Sequence, residues 1–310
     1  MEHVDPIRLA AFRTIREMIA FKPHVTAQDL SAGFYFEGRR HAFLNQQQGI
    51  FKPAAMSHLL SIRTVYPRQG GRVWYDDQRT VHEQIYKGID VVRYSFMREN
   101  PNSAQNQWLR QAMLEGVPII YFLGVAPGKY LPILPTYIVD WDAASLSAGV
   151  AFGVDAASAQ PSSPFEAMAP ALERQYALRE VKQRLHQSTF REAVLQAYDG
   201  RCALSGLPES LLIDAAHIIS DKDERLGQPV VPNGLPLSKI HHAAFDSHLI
   251  GIDPDYSVHV SERLLAQKDG PMLEAIKQLN GRSILLPSRM RDRPDRDRLA
   301  QRFEAFKEAA

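Results

Sequence analysis

Between Ala32 and Trp141 the chain is cut into short runs rich in aromatic and β-branched residues, and no other feature limits the fold as strongly. The runs GFYFEG, LLSIRTVY, RVWYDD, DVVRYSF, VPIIYFLGV and PTYIVDWD are separated by segments containing Gly, Pro, Asn or Asp. Runs this short read as strands, because ring-bearing and β-branched side chains fill a pleated, half-buried surface. The spacing predicts a mostly antiparallel sheet or small barrel. A helix interrupts it around Asn106 to Glu115, where QNQWLRQAMLEG ends in glycine. Another precedes it: Ile7, Ala10, Ala11, Ile15, Met18 and Ile19 recur at helical spacing after Asp5-Pro6, a cap followed by proline in the first turn.

After this region the texture changes. Residues 153–170, GVDAASAQPSSPFEAMAP, are dominated by Ala, Ser and Pro with little apolar periodicity and read as a linker. A helical pattern follows from about Leu172 to Tyr198, with a break expected near Gln187-Ser188. The tail predicts a helix at Pro271–Leu279, a short strand RSILLP, and a charged run RMRDRPDRDRLAQRFEAFKEA that ends as a helix. The expected class is α+β: a β-rich, barrel-like domain with helices over 1–152, a linker over 153–170, and a second domain over 171–310. A chain of 310 residues has room for two such domains.

Charge and cysteine usage narrow the setting. Lys and Arg number 36 against 35 Asp and Glu, interleaved along the chain, so the net charge of +1 neither demands nor forbids a polyanionic partner. A single cysteine, Cys202, rules out an internal disulfide framework and fits a reducing cytoplasm. The first twenty residues carry acids and arginines where an export signal would be apolar, and no window has the roughly 18–20 apolar residues of a membrane span. The expectation is a soluble, cytoplasmic protein with no membrane partner.

The chemistry concentrates in Cys202–Asp253, CALSGLPESLLIDAAHIISDKDERLGQPVVPNGLPLSKIHHAAFDSHLIGID. A strand ends in His217, a loop carries Asn233, and a helix begins around His241 and His242. Histidine suits proton abstraction from water because its pKa of about 6.5 leaves it largely neutral at physiological pH. Adjacent helical residues point about 100° apart, so His241 and His242 cannot easily serve one small ion.

The spacing AAHI, NGL, HH, FD resembles the HNH nuclease family over roughly Val181 to Val260. That resemblance implies a ββα-metal fold and hydrolysis of DNA phosphodiester bonds. It implies His217 as general base, Asn233 as the amide that orients the base and braces its loop, and His242, nine residues on, as ligand to a catalytic ion. Asn-Gly is also an ordinary turn. Many HNH enzymes carry Asp directly before the base, and here Ala216 stands there. Asp246, one turn after His242, shares its face and is a candidate ligand or partner of the His242 ring, or simply closes the helix. Asp214 is a weaker candidate, because an odd offset of three along a strand sends it to the face opposite His217. His241 is the remaining metal candidate. With Cys202, Ser205 and Ser238 it resembles the remnant of a zinc knuckle, but two of four positions are serine, which argues against structural zinc. The alternative for His241 is a partly buried helix residue bonded to Ser205 or Ser238. The ion itself stays open among magnesium, manganese, nickel and cobalt.

Domain order resembles modification-dependent restriction enzymes, in which an SRA-like or other PUA-like barrel reads a modified base ahead of the nuclease. Trp74, Tyr75, Arg72 and Arg93 are the candidate nucleic-acid contacts, since rings stack on an extruded base and arginines take phosphates. Aromatics in a barrel are more often core residues than base contacts. The expected partner is double-stranded DNA, with or without modified bases. Cutting both strands would require a homodimer. The competing reading is a DNA-binding HNH-fold module whose nuclease site has decayed, favoured by Ala216 and the degraded knuckle.

Overall fold

The computed structural model describes residues 5–45, 47–66, 81, 84–85, 89, 91–153, 164–223, 225–268 and 270–309. They form two compact units, Met1–Ser188 and Thr189–Ala310.

The first unit opens with α1 (Pro6–Phe21), whose N-terminus is capped by Asp5 accepting a hydrogen bond from the Ile7 amide at 2.9 Å. Seven strands make one sheet: β1 (Val25–Thr26), β4 (Ile50–Phe51), β5 (Ser61–Thr64), β6 (Val92–Ser95), β7 (Ile119–Ala126), β8 (Lys129–Asp142) and β9 (Ser147–Phe152). Their order is β4-β5-β7-β8-β9-β6, with β1 also on β8. Every pair is antiparallel except β5 with β7. The expected sheet is therefore present, with one parallel pair, β5 and β7, which are neighbours although β6, at the far edge of the sheet, comes between them in the chain. Short α2 (Ala27–Ala32) leads into a separate hairpin, β2 (Phe34–Phe36) with β3 (Arg39–His41), and α3 (Ala104–Leu114) fills the expected helical stretch.

Strand β7 shows why this unit holds together. Its side chains alternate faces, so Ile119, Tyr121, Leu123 and Val125 enter one core while Ile120 and Phe122 enter another with Ala11, Phe12 and Ile15 of α1. Both faces are covered, and the strand reads as a continuous apolar run for that reason. Tyr94, Phe96 and Tyr121 are core residues, at 5%, 1% and 0% exposure. Trp74, Tyr75 and Arg72 lie outside the described residues, as does the run RVWYDD that holds them. Among the described residues no helix is long and apolar enough to cross a membrane.

Helix α4 (Pro164–Ala197) runs without the break expected at Gln187-Ser188. It extends into the second unit, where Phe190 and Val194 are buried. Hairpin β10 (Ile213–His217) and β11 (Gly234–Ser238) follows, and then α5 (Lys239–Asp246). A second hairpin, β12 (Ile250–Ile252) with β13 (Val258–Val260), precedes α6 (Glu262–Leu265), α7 (Pro271–Lys277) and α8 (Arg296–Ala309). RSILLP does not form the expected strand: Ser283 makes a single bridge to Ser257, and Leu285 donates instead to the Ala203 carbonyl. The core joins Ala216, Leu235 and Leu237 of the first hairpin to Phe245, Ile250, Ile252, Val258 and Leu299. Gly251 admits α8, since a Cβ there would lie 2.5 Å from the Phe306 ring.

Candidate active site

The antiparallel register sets His217 opposite Gly234 and Ile213 opposite Ser238. Two anchors fix the hairpin. Arg191 of α4 donates from Nη2 to the carbonyls of Ser210 and Ile213, at 2.5 and 2.8 Å. Asn233, fully buried, receives the Ile219 amide on Oδ1 at 2.9 Å and donates from Nδ2 to the carbonyls of Ile219 and Gln228 at 3.0 and 3.1 Å. Its amide is spent on the loop backbone, so it places the loop rather than gripping the histidine ring.

The ring of His217 is held by stacking. Phe190 lies parallel to it, with centroids 4.1 Å apart and planes 18° apart. Gly234 makes room for this, because a Cβ there would lie 2.4 Å from Val194 Cγ2 and 2.8 Å from Phe190 Cζ. Its φ of −130° is ordinary extended backbone, so this glycine is required for space, not for a turn. The His217 Nε2 is buried without a hydrogen-bond partner. Burial pulls the His217 pKa below its ordinary value and so favours the neutral ring; Asp221 and Asp246 oppose this, and the charge on His242 adds to it.

Ser238 caps α5 by accepting the His241 amide at 3.3 Å, and the two histidines then part. His242 Nε2 is 3.2 Å from Asp246 Oδ2, one turn along the helix, and its Nδ1 is 3.8 Å from Asp214 Oδ2. Asp214 comes within reach despite its odd offset because α5 begins directly after Ser238, registered against Ile213, so its first turns lie over that end of the hairpin. The His242 pKa is raised, first by the Asp214 carboxylate 3.8 Å away, against burial and with help from Asp246; that of Asp214 is lowered, first by the same neighbour.

His241 points instead to Cys202, with Nδ1 3.4 Å from Sγ, and the Ser238 amide donates to the same sulfur at 3.3 Å. Burial pushes the thiol up, but hydrogen bonds from His241, Ser205 and Ser238 outweigh it and bring its pKa down to about 6. The knuckle positions thus converge on the sulfur as a hydrogen-bonded cluster.

Among the described residues no group of three or more His, Cys, Asp or Glu is disposed to hold a metal ion. The donors at His242 still fit a divalent cation that keeps most of its water: an imidazole nitrogen beside the Asp246 carboxylate, and a second carboxylate, Asp214, 3.8 Å from the other ring nitrogen, where it favours a proton on that nitrogen. Arg93, the one described nucleic-acid candidate, is exposed on β6 of the first unit and pairs with Asp140. Phe190 and Arg302 are site residues that local spacing does not reveal. Arg302 lies on α8, far along the chain, with Nη2 3.8 Å from Asp246 Oδ1.

A strand ending in histidine, a braced return loop and a helix presenting a second histidine between carboxylates define a ββα site of the nuclease type. Residues 202–253 match the family model described as HNH endonuclease, and this segment is an HNH endonuclease domain. Among solved structures the chain is similar to one titled "Modification dependent TagI restriction endonuclease", at 16% identity and a TM-score of 0.30, covering 83% of this chain and 85% of that one. A search of curated proteins found no match.

Proposed function

We propose that the protein is a metal-dependent DNA endonuclease of the restriction type, whose first unit recognises modified duplex DNA and whose second unit cuts it. The observation that carries the nuclease reading is the placement of His217 and His242 on facing elements of one hairpin-helix frame, with opposite electrostatic settings. His217 is kept neutral by burial, whereas His242 sits between two carboxylates.

In this reading His217 takes the proton from the attacking water. Nδ1 is the accepting atom, since Nε2 is buried. Stacking on Phe190 fixes the plane of the ring, and the loop held by Asn233 fixes where it stands, so little orientation is left to lose on reaching the transition state. His242 and Asp246 would hold a divalent cation, with Asp214 orienting the ring. Such an ion, when bound, offsets the negative charge that builds on the phosphate and the departing oxygen. The restriction role rests on the order of a β-rich unit before the nuclease domain.

The test is a plasmid-nicking assay of the full chain with magnesium, manganese, cobalt and nickel, followed by digestion of unmodified, 5-methyl, 5-hydroxymethyl and phosphorothioate DNA. Metal-stimulated nicking is expected, with His217→Ala inactive. Absence of nicking with all four ions would favour a decayed DNA-binding module, and equal digestion of all four DNAs would remove the modification-dependent role.

A further inference from the structure

Helix α8 lies outside the segment that matches the HNH family, yet two of its arginines, one turn apart, reach both halves of the candidate site. Arg298 donates from Nε to the Leu226 carbonyl at 2.9 Å and from Nη2 to Gln228 Oε1 at 3.2 Å. Gln228 is the same residue whose carbonyl receives the Asn233 amide. Arg302 donates from Nη2 to the Phe245 carbonyl at 2.9 Å, lies over the Phe245 ring at 4.7 Å, and faces Asp246. Both arginine side chains are largely sheltered, at 14% and 20% exposure, and are held by their hydrogen bonds to Leu226, Gln228 and Phe245, while the Asp246 carboxylate that Arg302 faces is 60% exposed. The helix is itself anchored, with Leu299 and Phe306 buried and the Asp295 amide bonded to the Pro232 carbonyl.

We infer that α8 is a clamp that sets the relative position of the loop braced by Asn233 and the ligand-bearing helix, with Arg302 as the positioning residue for Asp246 and, through it, His242. The inference rests on the nuclease reading above. The guanidinium suits the task because it is planar: one face covers the Phe245 ring while its edge donates to a carbonyl and turns toward a carboxylate. A lysine carries the charge but cannot cover the ring and hold both oxygens in one plane. One Asp246 oxygen faces the arginine at 3.8 Å and the other faces His242 Nε2 at 3.2 Å, so Arg302 favours the carboxylate rotation that meets the imidazole.

The test uses the full-length protein with Arg302→Ala and Arg302→Lys. Manganese-stimulated plasmid nicking is measured as separate kcat and KM values, together with the His242 Cε1–Hε1 cross-peak in ¹³C-histidine-labelled protein without metal. Loss of a group that orients a metal-site residue typically costs 10–100-fold, so kcat is expected to fall by about that much in both variants, with KM changed less than about two-fold. The His242 cross-peak is expected to move while that of His58, in the first unit, stays in place. Full kcat in Arg302→Lys, a loss confined to KM, or an unmoved His242 signal would overturn the inference; a KM effect would make Arg302 a phosphate contact instead. Wild-type protein that nicks nothing would refute the nuclease reading, and the cross-peak would still decide whether Arg302 positions His242.

Discussion

The imidazole of His217 lies on the ring of Phe190 at a centroid distance of 4.1 Å, so the proposed base is oriented by an aromatic neighbour from the preceding helix. Aromatic pairs of this kind contribute about 0.5–1.5 kcal/mol beyond their buried area. Phe190→Leu should keep the core filled but lose the flat contact, lowering nicking by about 10-fold through kcat, the scale of 1.4 kcal/mol. His217→Ala should abolish nicking while leaving gel-shift affinity unchanged. Equal activity of Phe190→Leu and wild type would show that stacking does not orient the base.

The pH dependence follows from the same burial. The His217 pKa is lowered from its ordinary 6.5, first by desolvation, so the folded protein binds that proton less readily than the unfolded chain. Its contribution to stability is complete above 6.5 and is lost as pH falls through the unfolded and then the folded pKa. The base likewise stays neutral to lower pH than a free imidazole would. The acid limb of the nicking rate at saturating manganese should therefore have its midpoint below 6.5. An acid limb centred above 6.5 would contradict the assignment of His217 as base.

Gly234→Ala tests the space beneath the base. The backbone there accepts any residue, so the cost comes from the added methyl, 2.4 Å from Val194 and 2.8 Å from Phe190. Overpacking of this kind costs about 1–3 kcal/mol. A lower thermal midpoint and reduced nicking are expected together, because the displaced ring is the one that supports His217. An unchanged midpoint would mean that α4 yields without strain.

These relationships also show what was legible beforehand. The hairpin and the helix after it could be written from AAHI, NGL and HH, because each depends on spacing within one local frame. The Asp214 contact could not, since face alternation along β10 says nothing of how α5 lies across the hairpin. Phe190 and Arg302 arrive from helices before and after the motif, where their helical patterns look like those of any core or surface residue. The strand expected at RSILLP failed for a related reason: its apolar residues are placed, but the backbone divides its hydrogen bonds between Tyr256 and Ala203 instead of forming a ladder.

The adjacent histidines separate most sharply by function. His242 stands between Asp214 and Asp246, whereas His241 bonds to the buried Cys202 sulfur. His242→Ala should remove metal-stimulated nicking, because it deletes the imidazole donor and leaves the two carboxylates without the ring that links them. His241→Ala should leave nicking largely intact and lower the thermal midpoint, since a sulfur that bonds to His241 and accepts from the Ser238 amide loses one partner inside the core. A buried polar group deprived of its partner costs about 1–3 kcal/mol. Nicking with and without chelator, alongside thermal denaturation, reads both effects on the same preparations. The reverse pattern, with activity lost in His241→Ala and stability lost in His242→Ala, would assign the ion to the other histidine.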